Sequence, residues 1–147
     1  MALFNAFNIS ATGMSAQRFR TDIISQNVAN VDSTRTEDGE VYRRKAVTFS
    51  EKMDTPFDHV LARVQGRHIT GTGVKVSSVY EDNETDLKMV YDPSHPDADE
   101  NGYVTYPNVN IVTEMTNMID ASRSYEANVT AFNTSKSMAV KGLDIGK

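Results

Sequence analysis

The sequence predicts an α+β fold: long N- and C-terminal α-helices packing as a coiled-coil-like pair, with a small β-rich insert between them. Three observations carry this. Apolar residues near the C-terminus recur in alternating steps of four and three. The N-terminus follows the same rule more loosely. The middle changes to β-branched and aromatic residues punctuated by glycine and proline.

At the N-terminus the positions are Leu3, Phe7, Ser10, Met14, Gln17, Thr21, Ile24, Val28 and Val31, six of the nine apolar. Ile9, Ala16, Phe19 and Ile23 add a flanking stripe, while Gly13 weakens the helix locally. The apolar surface is wider than a two-stranded seam needs. The stretch "ISQNVANVDSTRT" ends this run, with Gln26, Asn27 and Asn30 and no charge between Ser25 and Val31. Asn27 and Asn30, three apart, share a helix face beside Ile24, Val28 and Val31. Buried amides need partners, so these two are expected to bond to neighbouring backbones or cap the helix end.

The insert holds three strand-like segments, Glu40–Phe49, Gly73–Tyr80 and Asp86–Asp92. Ser50 to Thr70 reads as a loop or short helix. Toward the C-terminus the seam runs Ile111, Met115, Met118, Ser122, Tyr125, Val129, Phe132, Lys136, Ala139, Leu143, eight of ten apolar counting Tyr and Ala. Pro107 precedes it, and Asn108 is the expected N-cap. A helix from Val109 to Lys141 is roughly 50 Å long. The chain thus divides into 1–35, 36–107 and 108–147. Two helices alone leave apolar flanks in water, so copies or relatives packed side by side are expected to cover them. The interface expectation falls on Leu3, Phe7, Met14, Ile24, Asn27, Val28, Asn30, Val31, Ile111, Met115, Met118, Tyr125, Val129, Phe132 and Leu143.

Composition narrows the function. The 147 residues suffice for one domain with a modest core. A net charge of −5 argues against general affinity for nucleic acid or anionic lipid. Mean hydropathy is −0.46, and no apolar run approaches a membrane span. The absence of cysteine excludes disulfides, thiolate metal sites and cysteine nucleophiles. "MALFNAFNISATG" has no basic n-region and does not read as a cleavable signal peptide.

Chemical motifs are weak. "DADENG", Asp97–Gly102, matches the first half of an EF-hand loop, but its twelfth position is Asn108 rather than a bidentate Glu, so an acidic turn is expected. His59, His68 and His95 lack metal-ligand spacing. Asp92, Asp97, Asp99 and Glu100 read as a solvated acidic loop. Arg43, Arg44 and Lys45 either meet an acidic partner or protect an edge strand. A hydrolase using His95 and the acidic turn lacks any nucleophile–base pair, and no catalytic residue, metal site or cofactor is expected.

"ISATGMSAQRFRTDIISQNVANVDSTRT" resembles the signature of the flagellar rod, hook and hook-associated axial proteins, an apolar helix ending in S-x-N-x-A-N and a Thr-containing turn. Ser25, Asn27, Ala29 and Asn30 match it. "TRTEDGEVYRRKAVTF" and Tyr91 to the C-terminus are similar, more narrowly, to the proximal rod subunits. Only Ser50 to Thr72 falls outside the resemblance. It implies a structural, self-assembling subunit of the basal-body rod, without enzymatic activity, metal, cofactor or small-molecule substrate. It implies terminal helices forming an inner tube around an export channel, an outward-facing insert, other rod proteins and copies of itself as partners, and passage through the periplasm after flagellar type III export. The rival reading is a coiled-coil adaptor forming a discrete complex with one partner.

Overall fold

A computed structural model describes residues 2–52, 57, 60, 61, 64–66 and 71–145. Among these the element order is α1 (Ala2–Ala29), β1 (Lys45–Lys52), β2 (Gly73–Glu81), β3 (Lys88–Tyr91), β4 (Tyr103–Tyr106) and α2 (Ile111–Ile145). Strands β1 and β2 pair, as do β3 and β4, giving two two-stranded sheets. Most of the expected loop or short helix after Ser50 lies outside the described residues, as do His59 and His68 and the side chain of Leu3.

Boundaries moved for identifiable reasons. α2 starts at Ile111, because Asn110 and not Asn108 is its N-cap. The Asn110 side-chain oxygen accepts the backbone N–H of Val112 and of Thr113 at 3.0 and 3.3 Å. The Asn108 amide is engaged elsewhere: its oxygen accepts Arg44 N–H at 2.8 Å, and its nitrogen donates to the carbonyls of Asp82 and Thr85. α2 also continues past Lys141 to Ile145. β1 begins at Lys45 rather than Glu40 and runs on to Lys52. β4 belongs to a segment for which no strand was expected. It pairs antiparallel with β3, Tyr91 opposite Tyr103, their rings packed edge-on at 5.3 Å.

The chain forms two compact units. The first comprises Met1–Phe19, Phe49–Ser77 and Ser122–Lys147. In it the Phe7 and Phe132 rings pack at 5.0 Å, and Gly13 lies so close to Asn128 that a Cβ there would meet the Asn128 amide oxygen at 2.5 Å. Gly13 therefore sets the closeness of the two helical segments, besides weakening α1. Ser10, Ala16 and Ser135 are buried in the same unit.

Gly73 joins β2 to α1 in this unit. It holds φ +136° and faces the Thr12 hydroxyl, which accepts Val74 N–H at 3.1 Å. A side chain at 73 is strained by the backbone and collides with Thr12. Gly73→Ala is expected to cost about 1–3 kcal/mol, read as a lower urea midpoint with unchanged slope.

The second unit comprises Arg20–Thr48 and Ser78–Ala121. Its buried apolar residues are Ile23, Ile24, Tyr42, Val104 and Ala121, beside the buried polar Asn27 and Glu114. It also contains the acidic turn. The Thr34 hydroxyl donates to Asp97 at 2.8 Å, and Arg35 lies 3.7 Å from the same carboxylate. The Asp99 carboxylate accepts the N–H groups of Asn101 and Tyr103, and Gly102 takes φ +79° to close the turn. The Asp92 carboxyl accepts from the Ser94 hydroxyl and N–H, which hold it below the usual carboxylate range. His95 accepts Asp97 N–H through its ring nitrogen. Asp92, His95, Asp97 and Asp99 thus serve a hairpin turn.

Candidate functional site

α2 presents two faces of different character. Buried or half-buried residues recur every seventh position: Glu114, Ala121, Asn128 and Ser135. Each is small, polar or charged. Most of the large apolar side chains of α2 lie outside this stripe. Ile111, Val112, Met115, Ile119, Tyr125, Val140 and Leu143 are exposed, Leu143 by 75%. At 100° per residue, the predicted seam is rotated by roughly 70° from the stripe the chain covers. Hydrophobicity located the seam, but small side chains and polar partners decide which side the chain itself buries.

The predicted interface residues therefore separate. Ile111, Met115, Tyr125 and Leu143 are exposed. Met118, Val129, Phe7, Met14, Val28 and Val31 are half-buried. Ile24 is buried within the second unit, and Phe132 spends part of its surface on Phe7. Asn30 caps α1, its amide nitrogen donating to the Gln26 carbonyl at 2.9 Å and its oxygen accepting the Ser33 hydroxyl.

Asn27 requires a correction. It is fully buried, and its hydrogen-bonding capacity is consumed inside the chain. Its nitrogen donates to the Lys45 carbonyl at 2.8 Å and to Glu114 Oε2 at 2.9 Å. Its oxygen accepts the Tyr42 hydroxyl and Lys45 N–H, each at 2.9 Å. No capacity is left for a neighbouring backbone or a lumen.

Glu114, only 1% exposed, completes the network. Its Oε1 accepts from Arg44 Nε at 2.9 Å, and Arg44 Nη2 forms an ion pair with the same oxygen at 2.9 Å. It also sits in the first turn of α2, where the helix dipole favours a carboxylate. The acidic partner sought for the basic cluster is therefore within the chain. Arg44 meets Glu114, and Lys45 lies 3.7 Å from Glu81 and over the Tyr42 ring. Glu114 and Tyr42 were not singled out from sequence. The available signal was a lone carboxylate at the start of an apolar helix and a tyrosine beside three cations.

Burial raises the Tyr42 hydroxyl above the ordinary tyrosine value, and the Glu81 and Glu114 carboxylates raise it further. A raised folded-state value means stability that is complete below the unfolded value, about pH 10, and lost as pH climbs through the folded one. Tyr42→Phe is expected to cost about 1 kcal/mol at neutral pH. It should also flatten the alkaline fall of stability between the two proteins, measured by denaturant unfolding at stepped pH.

Among the described residues no group of three or more His, Asp or Glu is arranged to hold a metal, and no helix is long and apolar enough to cross a membrane.

Two long terminal helices, tied to a small β insert by a buried polar network and with large apolar side chains left exposed on α2, make a structural architecture. Residues 7–35 match the family model described as flagella basal body rod protein, and residues 100–145 match that described as flagellar basal body rod FlgEFG protein C-terminal. The chain is 44% identical over 151 residues to the flagellar basal-body rod protein FlgC of Bacillus subtilis, covering 100% of each. It is 44% identical to that of Borreliella burgdorferi, covering 99% of this chain and 98% of the relative, and 43% identical to that of Salmonella typhimurium over the whole of both. The chain belongs to the FlgC-type flagellar basal-body rod proteins. It is a structural rod subunit of the flagellar basal body and not an enzyme.

Proposed function

We propose that the chain is a subunit of the proximal rod, packed with copies of itself and with other rod proteins into a tube that serves as drive shaft and export channel between motor and hook. Residues 1–35 and 108–147 form its inner core and 36–107 its outer insert. It reaches the periplasm through the flagellar type III export apparatus without a cleaved signal. Subunit contacts fall on Ile111, Met115, Tyr125 and Leu143.

The observation that carries this reading is the outward seam of α2. A monomer that leaves most of the large apolar side chains of a 35-residue helix exposed, while its fully buried positions there are small or polar, has its complement on another chain. Full-length similarity to rod proteins does not favour the adaptor alternative. Deleting the chain from a flagellated host is expected to leave cells with membrane rings but without hooks, and plasmid-borne wild type to restore swimming. Hooks in the deletion strain would remove the proximal-rod assignment. An exported chain lacking its N-terminal residues would remove the uncleaved route.

A further inference from the structure

The second unit carries an unfilled groove of about 680 Å³, in the range that recognises ligands and side chains. Val31, Val90, Tyr106 and Val112 supply its apolar wall, and Asp32 and Lys88 bring charges of opposite sign. Val112 is 74% exposed, so the wall is open to an incoming chain. None of the groove's residues belongs to the Asn27–Glu114 network.

The last turns of α2 carry a patch of matching character. Val140 and Leu143 lie three apart on one helix face and are exposed. Lys136, four residues before Val140, and Asp144, four after it, flank Val140 on either side. The patch is thus an apolar pair between a cation and an anion, and the groove an apolar wall with an anion and a cation. It also continues the seam that begins at Ile111.

We infer that the groove of one copy receives the C-terminal turns of α2 from a second copy. Val140 and Leu143 fill the apolar wall, Lys136 meets Asp32, and Asp144 meets Lys88. This rests on the rod-subunit reading and adds the occupant. Donor and acceptor patches are different surfaces of the same chain, so the contact is head to tail. Such a contact propagates into an open helical array unless its rotation closes a ring.

Because the chain has no cysteine, introduced thiols report single positions. Val112→Cys and Leu143→Cys are expressed separately and together in a flagellated host, mildly oxidised, and purified basal bodies are resolved without reductant. A disulfide needs the two Cα atoms within about 7 Å, so a covalent dimer is expected only when both variants are present. Asp32→Lys should lower its yield roughly fivefold, the scale of a surface ion pair, and Lys136→Asp in the other copy should restore it. A dimer from Val112→Cys alone would mean a symmetric contact, and a product of another mass would mean a different protein in the groove. Either overturns the inference. Basal bodies that contain the chain but give no mixed dimer overturn it while leaving the rod reading intact. Basal bodies lacking even the wild-type chain overturn both.

Discussion

Glu114→Ala is expected to lower stability by about 3–5 kcal/mol. The carboxylate is almost fully buried, accepts from Asn27 and from Arg44 Nε, and pairs ionically with the same guanidinium. Removing it leaves a half-buried guanidinium and one Asn27 donor without their acceptor. The loss is not the worth of the ion pair, since desolvating both partners offsets much of their attraction. It is the penalty for partners left behind. Glu114→Gln keeps an acceptor oxygen and should lose less. Asn27→Ala orphans Tyr42, both backbone groups of Lys45 and Glu114 Oε2, at about 1–3 kcal/mol for an unsatisfied group. The double variant Asn27→Ala with Glu114→Ala should lose clearly less than the sum, because the two share a bond. Chemical denaturation of the four proteins decides this. Additive losses would mean that the hydrogen bond between them contributes nothing.

The second large effect concerns assembly and leaves the monomer intact. Met115→Asp places a carboxylate in the exposed seam, where the isolated chain tolerates it because water reaches it. If a neighbouring copy covers Met115, the uncompensated charge costs several kcal/mol at each repeated contact. The variant should unfold at the same urea concentration as wild type, be exported normally, and give non-motile cells without rods. Phe132→Asp is a poorer probe, since Phe132 already packs on Phe7 and its loss disturbs the subunit itself. Swimming cells carrying Met115→Asp would take the seam out of the contact.

The contrast between Met115 and Glu114 shows how far sequence reasoning reached. The alternation of four and three steps identified both helices, and β-branched residues with Gly and Pro marked the insert. The rotational phase of α2 was not legible. A hydrophobic pattern points to the face that wants covering, without saying whether its cover comes from the same chain. Here the in-chain stripe is Glu114, Ala121, Asn128 and Ser135, none of them a large apolar residue. Asn27 was noticed as an anomaly, yet its partners lie 15 to 87 residues away in sequence. Pairing over such separations is a property of the folded backbone. The cap lies at Asn110 and not at the expected Asn108 for the same reason, because the Asn108 amide is held by distant carbonyls at Asp82 and Thr85.

The Asn27 network also has a mechanical consequence. Hydrogen bonds are directional and weaken steeply with misalignment, whereas apolar contact depends on area and hardly on angle. The joint that holds α1, the start of β1 and α2 within the second unit is made of the first kind, and the outward seam of the second. Twisting such a chain strains aligned bonds at Asn27 and Glu114 from the first degree. If a neighbouring copy covers Met115 and Tyr125, sliding it trades one greasy surface for another. On that reading elastic yield resides between copies, and the second unit of each copy turns as a stiff link at that joint.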